Sequence, residues 1–341
     1  MLNLTDSFAG IDPMLTTIAQ GYSLPTTNIA NFIAPIVTTP KRQGKILRFG
    51  KEQFAIKDYR RAPGSNIEKV QSRFDTEAFA VEQEVIAFEL AEERIEDAGE
   101  GPAQVDLRAL EARNAMSRLM NSYEQTVADA VGVLGAYEAN LGFNTWSDFK
   151  AAYPTAGPES WADSAQTSNP IADILIMKRQ VANEIAVRPN SAVIGSAVYD
   201  SLLSNSKIEE RIKYTTTDSI DIDMLARYFG LTRGIRVAEG RKLDETTGKL
   251  FPVFPENAIL LFYSPLGPSD TVMPAGDASM STPAFAYTYQ LAGTPNVRPE
   301  YYVRERRVVV GEVTVERVVN VVGLGSTGLI GSGFYIEDML A

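Results

Sequence analysis

Near the end of the chain, Gly323-Leu324-Gly325-Ser326-Thr327-Gly328 has the spacing of a dinucleotide-binding fingerprint and follows a valine-rich β run. A loop that cradles phosphates must also open a helix within a βαβ unit, with an acidic residue ~20 positions further on. The 341-residue sequence stops short of both, so the segment reads as a glycine-rich turn between strands. Asp218, Asp221 and Asp223 place three carboxylates close together, as a cation site would. Neither a glycine turn nor a distal bidentate glutamate completes a calcium loop there, and acids gathered at the start of a helix are the simpler reading. Glu92 with Glu93, and Glu209 with Glu210, are neighbours in sequence. Adjacent side chains on a helix or strand point apart, so neither pair can flank a substrate as acid and base.

Histidine and cysteine are absent from the whole chain. That removes the imidazole base, the Ser-His-Asp triad, the thiolate nucleophile, the disulfide and the zinc site built on these ligands. Catalysis would have to run on carboxylates, lysine, tyrosine or an oxygen-ligated ion. No cofactor or metal is expected, and the chain reads as a non-enzyme whose stability rests on packing and association.

The net charge of −11 argues against a chain wrapped tightly around nucleic acid, although a smooth wall facing DNA stays compatible with it. The charge is also unevenly placed. Lys41, Arg42, Lys45, Arg48, Lys51, Lys57, Arg60, Arg61, Lys69 and Arg73 crowd one segment; Asp75, Glu77, Glu82, Glu84, Glu89, Glu92, Glu93, Glu96, Asp97 and Glu100 crowd the next. Tyr59 and Phe74 only flank the basic cluster, without the interleaved aromatics that stack on single strands, so Arg60, Arg61, Lys69 and Arg73 read as a protein contact. A basic segment followed by an acidic one can pair internally or reach a neighbour, and the sequence leaves both open.

The elements that would carry these residues follow from periodicity. Residues 1–43, interrupted by Pro13, Pro25, Pro35 and Pro40, read as an extended arm with a short helix near 14–20; Ile29, Phe32, Ile33, Ile36 and Val37 suit a segment laid on another surface. Apolar runs at 45–49, 53–56, 78–81 and 85–88 around Pro63-Gly64 predict a long two-stranded excursion with a charged tip. The spacing of Leu107, Leu110, Met116, Leu119, Met120, Tyr123, Val127 and Val131 predicts a helix over 106–134. Residues 142–168, with Trp146 and Trp161, read as a connection. Asn169-Pro170 opens a second helix as N-cap and first helical residue. A strand at 192–195, helices at 196–203, 207–214 and 220–229, and strands at 235–237 and 258–263 then describe a mixed α/β unit. Two β runs, 301–310 and 312–322, are expected on either side of Gly311. No stretch has the ~20 apolar residues of a membrane helix, and residues 1–10 lack the pattern of a signal peptide, so synthesis in the cytoplasm is expected.

The order of these parts resembles the tailed-bacteriophage major capsid family, whose fold was first seen in a Hong Kong phage and is shared by encapsulin shells. The likeness is carried most specifically by Arg188-Pro189-Asn190-Ser191-Ala192-Val193-Ile194-Gly195, then Tyr199-Asp200-Ser201-Leu202 and Ile208-Glu209-Glu210-Arg211-Ile212-Lys213-Tyr214, and by Arg304-Glu305-Arg306-Arg307 through Gly328-Leu329-Ile330. It implies an α+β fold with an N-terminal arm (1–43), an extended β-hairpin loop (44–90), a peripheral domain with a long spine helix (91–168), an axial α/β domain (169–292), peripheral return strands (293–324) and a tail rejoining the axial domain (325–341). It also implies a major capsid protein of the virion. Such a protein assembles with itself into hexamers and pentamers that close an icosahedral head around DNA, without reading its sequence. A portal and a scaffolding protein are the further partners; with no room for a scaffolding segment before the arm, the scaffold is expected either to be a separate protein or to be a segment already removed. The alternatives are an encapsulin-type compartment, for which residues 11–20 could supply the N-terminal helix, and an enzyme built on carboxylates or a nucleotide. On the capsid reading, the arm and the excursion are straps covered only by neighbouring subunits, and removing residues 1–40 is expected to leave the axial domain folded but to block stable shells. Arg60, Arg61, Lys69 and Arg73 near the tip of the excursion are then expected to meet Glu89, Glu92, Glu93 and Glu96 at the base of an adjacent copy.

Overall fold

A computed structural model describes residues 13–20, 28–49, 60, 74–97, 102–137, 140–162, 167–213, 221–265, 284–303, 306–321 and 333–341. The chain enters with helices α1 (Pro13–Gln20) and α2 (Ala30–Ile33) and strand β1 (Ile36–Thr39). Strands β2 (Gln43–Phe49) and β3 (Phe74–Ala80) then pair antiparallel from Gln43 opposite Ala80 to Phe49 opposite Phe74. After a break at Val81, strand β4 (Glu82–Ala91) runs into helix α3 (Glu92–Asp97) and the long helix α4 (Pro102–Val131).

Helix α4 has 30 residues and spans about 45 Å at 1.5 Å per residue. Proline at its first position costs no helical hydrogen bond there. Its inward face buries Ala109, Ala112, Ala115, Met116, Leu119, Met120, Tyr123, Val127, Ala128 and Val131, whereas Leu110 is exposed. The alanines let the helix sit close on the sheet beneath, which the larger residues of the periodic pattern did not announce.

Beyond α4 come β5 (Gly142–Thr145), α5 (Trp146–Ala152), α6 (Pro170–Ile185), β6 (Ser191–Gly195), α7 (Ser196–Leu203), α8 (Ser206–Lys213), α9 (Ile222–Phe229), β7 (Gly234–Ala238), β8 (Arg241–Leu243), β9 (Leu250–Pro252) and β10 (Ile259–Phe262). The chain closes with β11 (Ala286–Leu291), β12 (Asn296–Val303), β13 (Val308–Val321) and β14 (Phe334–Asp338).

Two five-stranded sheets organise these elements. In one, β13 is the centre: it pairs antiparallel with β4 along residues 308–317, with β12 along 308–314 and with β11 at its far end, while β1 lies parallel on β11. The other runs β5-β14-β10-β6-β7. Its parallel pair β6–β7 is joined through α7, α8 and α9, because a parallel crossover needs a long connection. One core packs α4 and the first sheet together with Leu15, Ile29, Phe32 and Ile33, and a second surrounds β6, β10 and β14 under α5, α6 and α9.

Several expectations are corrected here. Residues 142–168 are not a mere connection: β5 and α5 belong to the second sheet and its cover, with a Thr145 capping box, and Trp146 and Trp161 are buried. Gly311 does not separate two strands but lies inside β13, opposite Phe88 of β4, and a Cβ there would run into the Phe88 ring. The reversal falls instead at Arg306–Arg307, where Arg307 takes φ +50. The excursion's return run is also two strands and not one, since β3 pairs with β2 while β4 enters the β13 sheet.

Residues 28–34 are no strap awaiting a neighbour. Ile29, Ala30, Ile33 and Ala34 are fully buried within this one chain, because Pro35 and the short α2 turn them onto α4, whereas sequence patterning cannot tell a neighbour's surface from the chain's own.

Candidate intersubunit contact site

The charged residues of β4 sit beside the arginines of β13 and of the turn before it. Arg317 is buried and forks onto Glu84, with Nη2 donating to Oε2 at 2.5 Å and Nε to Oε1 at 3.2 Å. It also donates to the Leu119 carbonyl at 2.7 Å, and its guanidinium lies 4.4 Å over the Tyr123 ring. A planar fork suits this geometry, and four separate contacts satisfy a cation that burial would otherwise penalise. Arg42 reaches the buried Glu316 at 2.6 Å. Arg306 approaches Glu89 at 3.6 Å, both largely exposed, a pair worth at most about 1 kcal/mol.

Of the expected contact residues, Glu89, Glu92, Glu93 and Glu96 thus share one rim: Glu89 on β4 and the others on α3, with Glu93 and Glu96 exposed. The Glu92 backbone N–H donates to the Arg307 carbonyl, which holds the start of α3 against the β12–β13 turn. Arg60 is exposed. Arg61, Lys69 and Arg73 lie outside the described residues, as does the Gly323–Gly328 segment. Asp221 and Asp223 open α9, where the Asp221 side chain accepts from the Ile222 N–H. Glu209 and Glu210 lie on α8, both exposed. Among the described residues no three acidic side chains gather as metal ligands.

Polar residues that patterning did not single out fix the arm. Buried Glu124 on α4 accepts from Asn28 Nδ2 at 2.7 Å and from the Ile29 N–H at 3.3 Å. Burial raises its carboxyl above the usual range, and the Ile29 hydrogen bond offsets part of that. Arg233, just before β7, donates to the Phe32 carbonyl at 2.5 Å and stacks 4.3 Å over the Phe32 ring, itself edge-on to Phe262 of β10. Tyr123 donates to the Ala34 carbonyl at 2.9 Å, and burial pushes its hydroxyl up to about 12. At α1, Thr16 Oγ1 accepts from the Val297 N–H at 3.0 Å.

Two buried charges brace the second sheet. Asp173 on α6 accepts from the Gly157 N–H at 2.6 Å and from Trp161 Nε1 at 2.9 Å. Its carboxyl is raised by burial, against the pull of those donors. Lys178 donates to the carbonyls of Phe229 and Gly230 at 2.8 and 2.7 Å, neutralising the C-terminal end of α9; burial lowers its ammonium. Only the Asn-Pro cap before α6 was legible beforehand: the Asn169 side chain accepts from the Ala172 N–H.

Among the described residues, then, the charged clusters form braces and a rim of contacts, and their chemistry is that of holding surfaces. Residues 103–277 match the model of a family described as Phage major capsid protein E. The major capsid protein of Burkholderia phage BcepMu is 25% identical over 287 residues, covering 84% of this chain and 85% of that protein. A phage-related protein of Bordetella bronchiseptica, known from a crystal structure, superposes with a TM-score of 0.72 at 24% identity, over 96% of this chain and 97% of that one. A virus-like particle from Pyrococcus furiosus gives 0.50 at 12% identity, over 95% and 98%. The fold is therefore that of capsid-type shells.

Proposed function

The chain belongs to the Phage major capsid protein E family, and from that membership we propose that its copies form hexamers and pentamers which close an icosahedral head around DNA. It is a virion shell protein, and the family match across residues 103–277 is the observation that carries this. Closed shells need surfaces that satisfy one another by repetition. Strand β4 supports such a role: among the described residues it pairs only with β13, which leaves a ten-residue edge of backbone donors and acceptors.

In this reading residues 44–80 form the extended loop, the β13 sheet and α4 the peripheral domain, and the sheet around β6 and β10 the axial domain. The tip residues Arg60, Arg61, Lys69 and Arg73 reach the Glu89, Glu92, Glu93 and Glu96 rim of the next copy. DNA is enclosed without sequence readout, as the acidic balance of −11 favours. A portal and a separate scaffolding protein complete assembly in the host cytoplasm, and the chain has no catalytic role. The test is negative-stain imaging of the protein expressed with its neighbouring head proteins, with a nuclease-protection assay for enclosed DNA. Closed shells with protected DNA are expected. Monomers alone, across salt and concentration with scaffold supplied, would overturn the reading, and shells filled with a protein cargo in place of DNA would move the assignment to an encapsulin-type compartment.

A further inference from the structure

Strands β8 and β9 make a two-stranded sheet that pairs with nothing else among the described residues. Its tip is ordered from within. The Asp244 N–H donates to the Lys249 carbonyl at 2.9 Å, the Gly248 N–H to the Asp244 carbonyl at 2.8 Å, and the Asp244 carboxylate accepts from the Thr246 N–H and the Thr247 hydroxyl at 2.9 and 2.7 Å. The base is tied by the Val253 N–H to the Gly240 carbonyl and by Arg241 to Glu256 at 2.6 Å. This is a preorganised finger, yet it carries Leu243, Leu250 and Phe251 at 60%, 65% and 43% exposure. Three of the eight exposed large hydrophobic residues described in the chain thus lie within twelve residues of sequence, which singly scattered surface residues would not do.

The register decides how they face. Leu243 is directly opposite Leu250, so these two share one face; Phe251 is opposite Lys242 and shares the other. A two-stranded ribbon is marginal in water, and one that is apolar on both faces gains from being covered on both. A single partner laid on one side leaves the other wet. In a closed ring, however, every copy has two different neighbours, one on each side.

We infer that the 241–252 finger is a docking element for further copies of this same chain, held between two neighbours in the ring, with Leu243 and Leu250 against one and Phe251 against the other. The inference rests on the shell reading above and names the element through which copies meet. Charge supports the same occupant: Arg241, Lys242 and Lys249 outnumber Asp244 and Glu245, so the finger is slightly basic in a chain whose total is −11, which favours docking on another copy over docking on a basic partner.

The absence of cysteine in the chain makes the test clean. Leu250→Cys and Phe251→Cys are made separately in the full chain, with Thr246→Cys at the tip as a comparison, and each introduced thiol is labelled with a maleimide in unassembled subunits and in purified shells. Assembly is expected to slow labelling of the thiols at positions 250 and 251 about tenfold or more, as protection in a closed contact does. Circular dichroism should be unchanged in the free subunit, where these side chains touch little. Equal labelling rates in shells and subunits would overturn the proposal while leaving the shell reading intact, since shells would have formed. Protection of one face only would remove the two-neighbour arrangement, and protection that appears only when other head proteins are added would assign the finger to them. Should no variant and no parent protein form shells, it is the shell reading itself that fails.

Discussion

Glu124 illustrates how one buried carboxylate can hold a whole segment in place. It has two donors, Asn28 Nδ2 and the Ile29 N–H, and burial raises its carboxyl above the ordinary value of 4.5. A folded-state value above the unfolded one means that the folded chain holds this proton more tightly. The group's contribution to stability is therefore complete below about pH 4.5 and declines as pH rises through the folded value. Replacing the carboxyl by an amide abolishes that titration. The difference in melting temperature, Glu124→Gln minus parent, is expected to shift in the variant's favour between about pH 4 and about pH 7, measured on unassembled subunits by circular dichroism. A difference that stays flat across this range would mean that burial does not govern the group. None of this could be read from the sequence, where Glu124 is one acid among 43 acidic residues.

At the scale of the element, the arm divides into parts with different roles. The apolar cluster Ile29, Phe32, Ile33 was legible as a segment that must lie on something; what it lies on is α4 and β10 of its own chain. The expectation that the axial unit stays folded without residues 1–40 has to be weighed against the burial of these side chains in the core shared with α4 and the first sheet. Ile29, Phe32 and Ile33 each contribute about 1.5–3 kcal/mol through burial, a large share of the roughly 5–15 kcal/mol that holds a domain folded. A chain starting at residue 28 gives up Leu15 and Ala19 but keeps Ile29, Phe32 and Ile33, so it should still melt cooperatively at a temperature below the parent's, whereas one starting at residue 41 should lose several degrees more or fail to fold. Equal melting of the two would show that the core closes without the arm. Strand β13 makes the same point: Gly311 looks like punctuation in a valine-rich run, but it marks where the Phe88 ring crosses the strand.

For the whole molecule the relevant quantity is charge shared between copies. Glu84 and Glu89 are engaged by Arg317 and Arg306 of their own chain, so the proposed contact between subunits would fall more heavily on Glu93 and Glu96. Each exposed pair is worth ~0.2–1 kcal/mol, but every symmetry-related copy repeats it and like-charge contacts penalise wrong registers. Reversing Arg60 and Arg61 to glutamate is expected to slow shell formation in sedimentation experiments while the subunit's circular dichroism stays unchanged. Raising salt should weaken early assembly of the parent, since partly exposed pairs are screened beyond about 8 Å at physiological ionic strength. A reversed variant that assembles like the parent across the salt series would mark the basic tip as solvated surface.

The sequence by itself determined the classes of chemistry left to this chain and the order of its main elements. Missing histidine and cysteine are facts of composition, and the α4 periodicity and the Asn169-Pro170 cap are set by residues within a few positions of one another. Short-range physics of that kind survives in one dimension. Tertiary structure decided what lies against what: that Phe32 packs on Phe262 and under Arg233, that Arg317 reaches Glu84 across 233 residues, and that β14 slots between β5 and β10. It also decided that Leu243, Leu250 and Phe251 stand exposed while Trp146 and Trp161 are buried. An apolar side chain announces that it will be covered, but the surface that covers it is chosen by chain closure over long separations, and no local pattern records that choice.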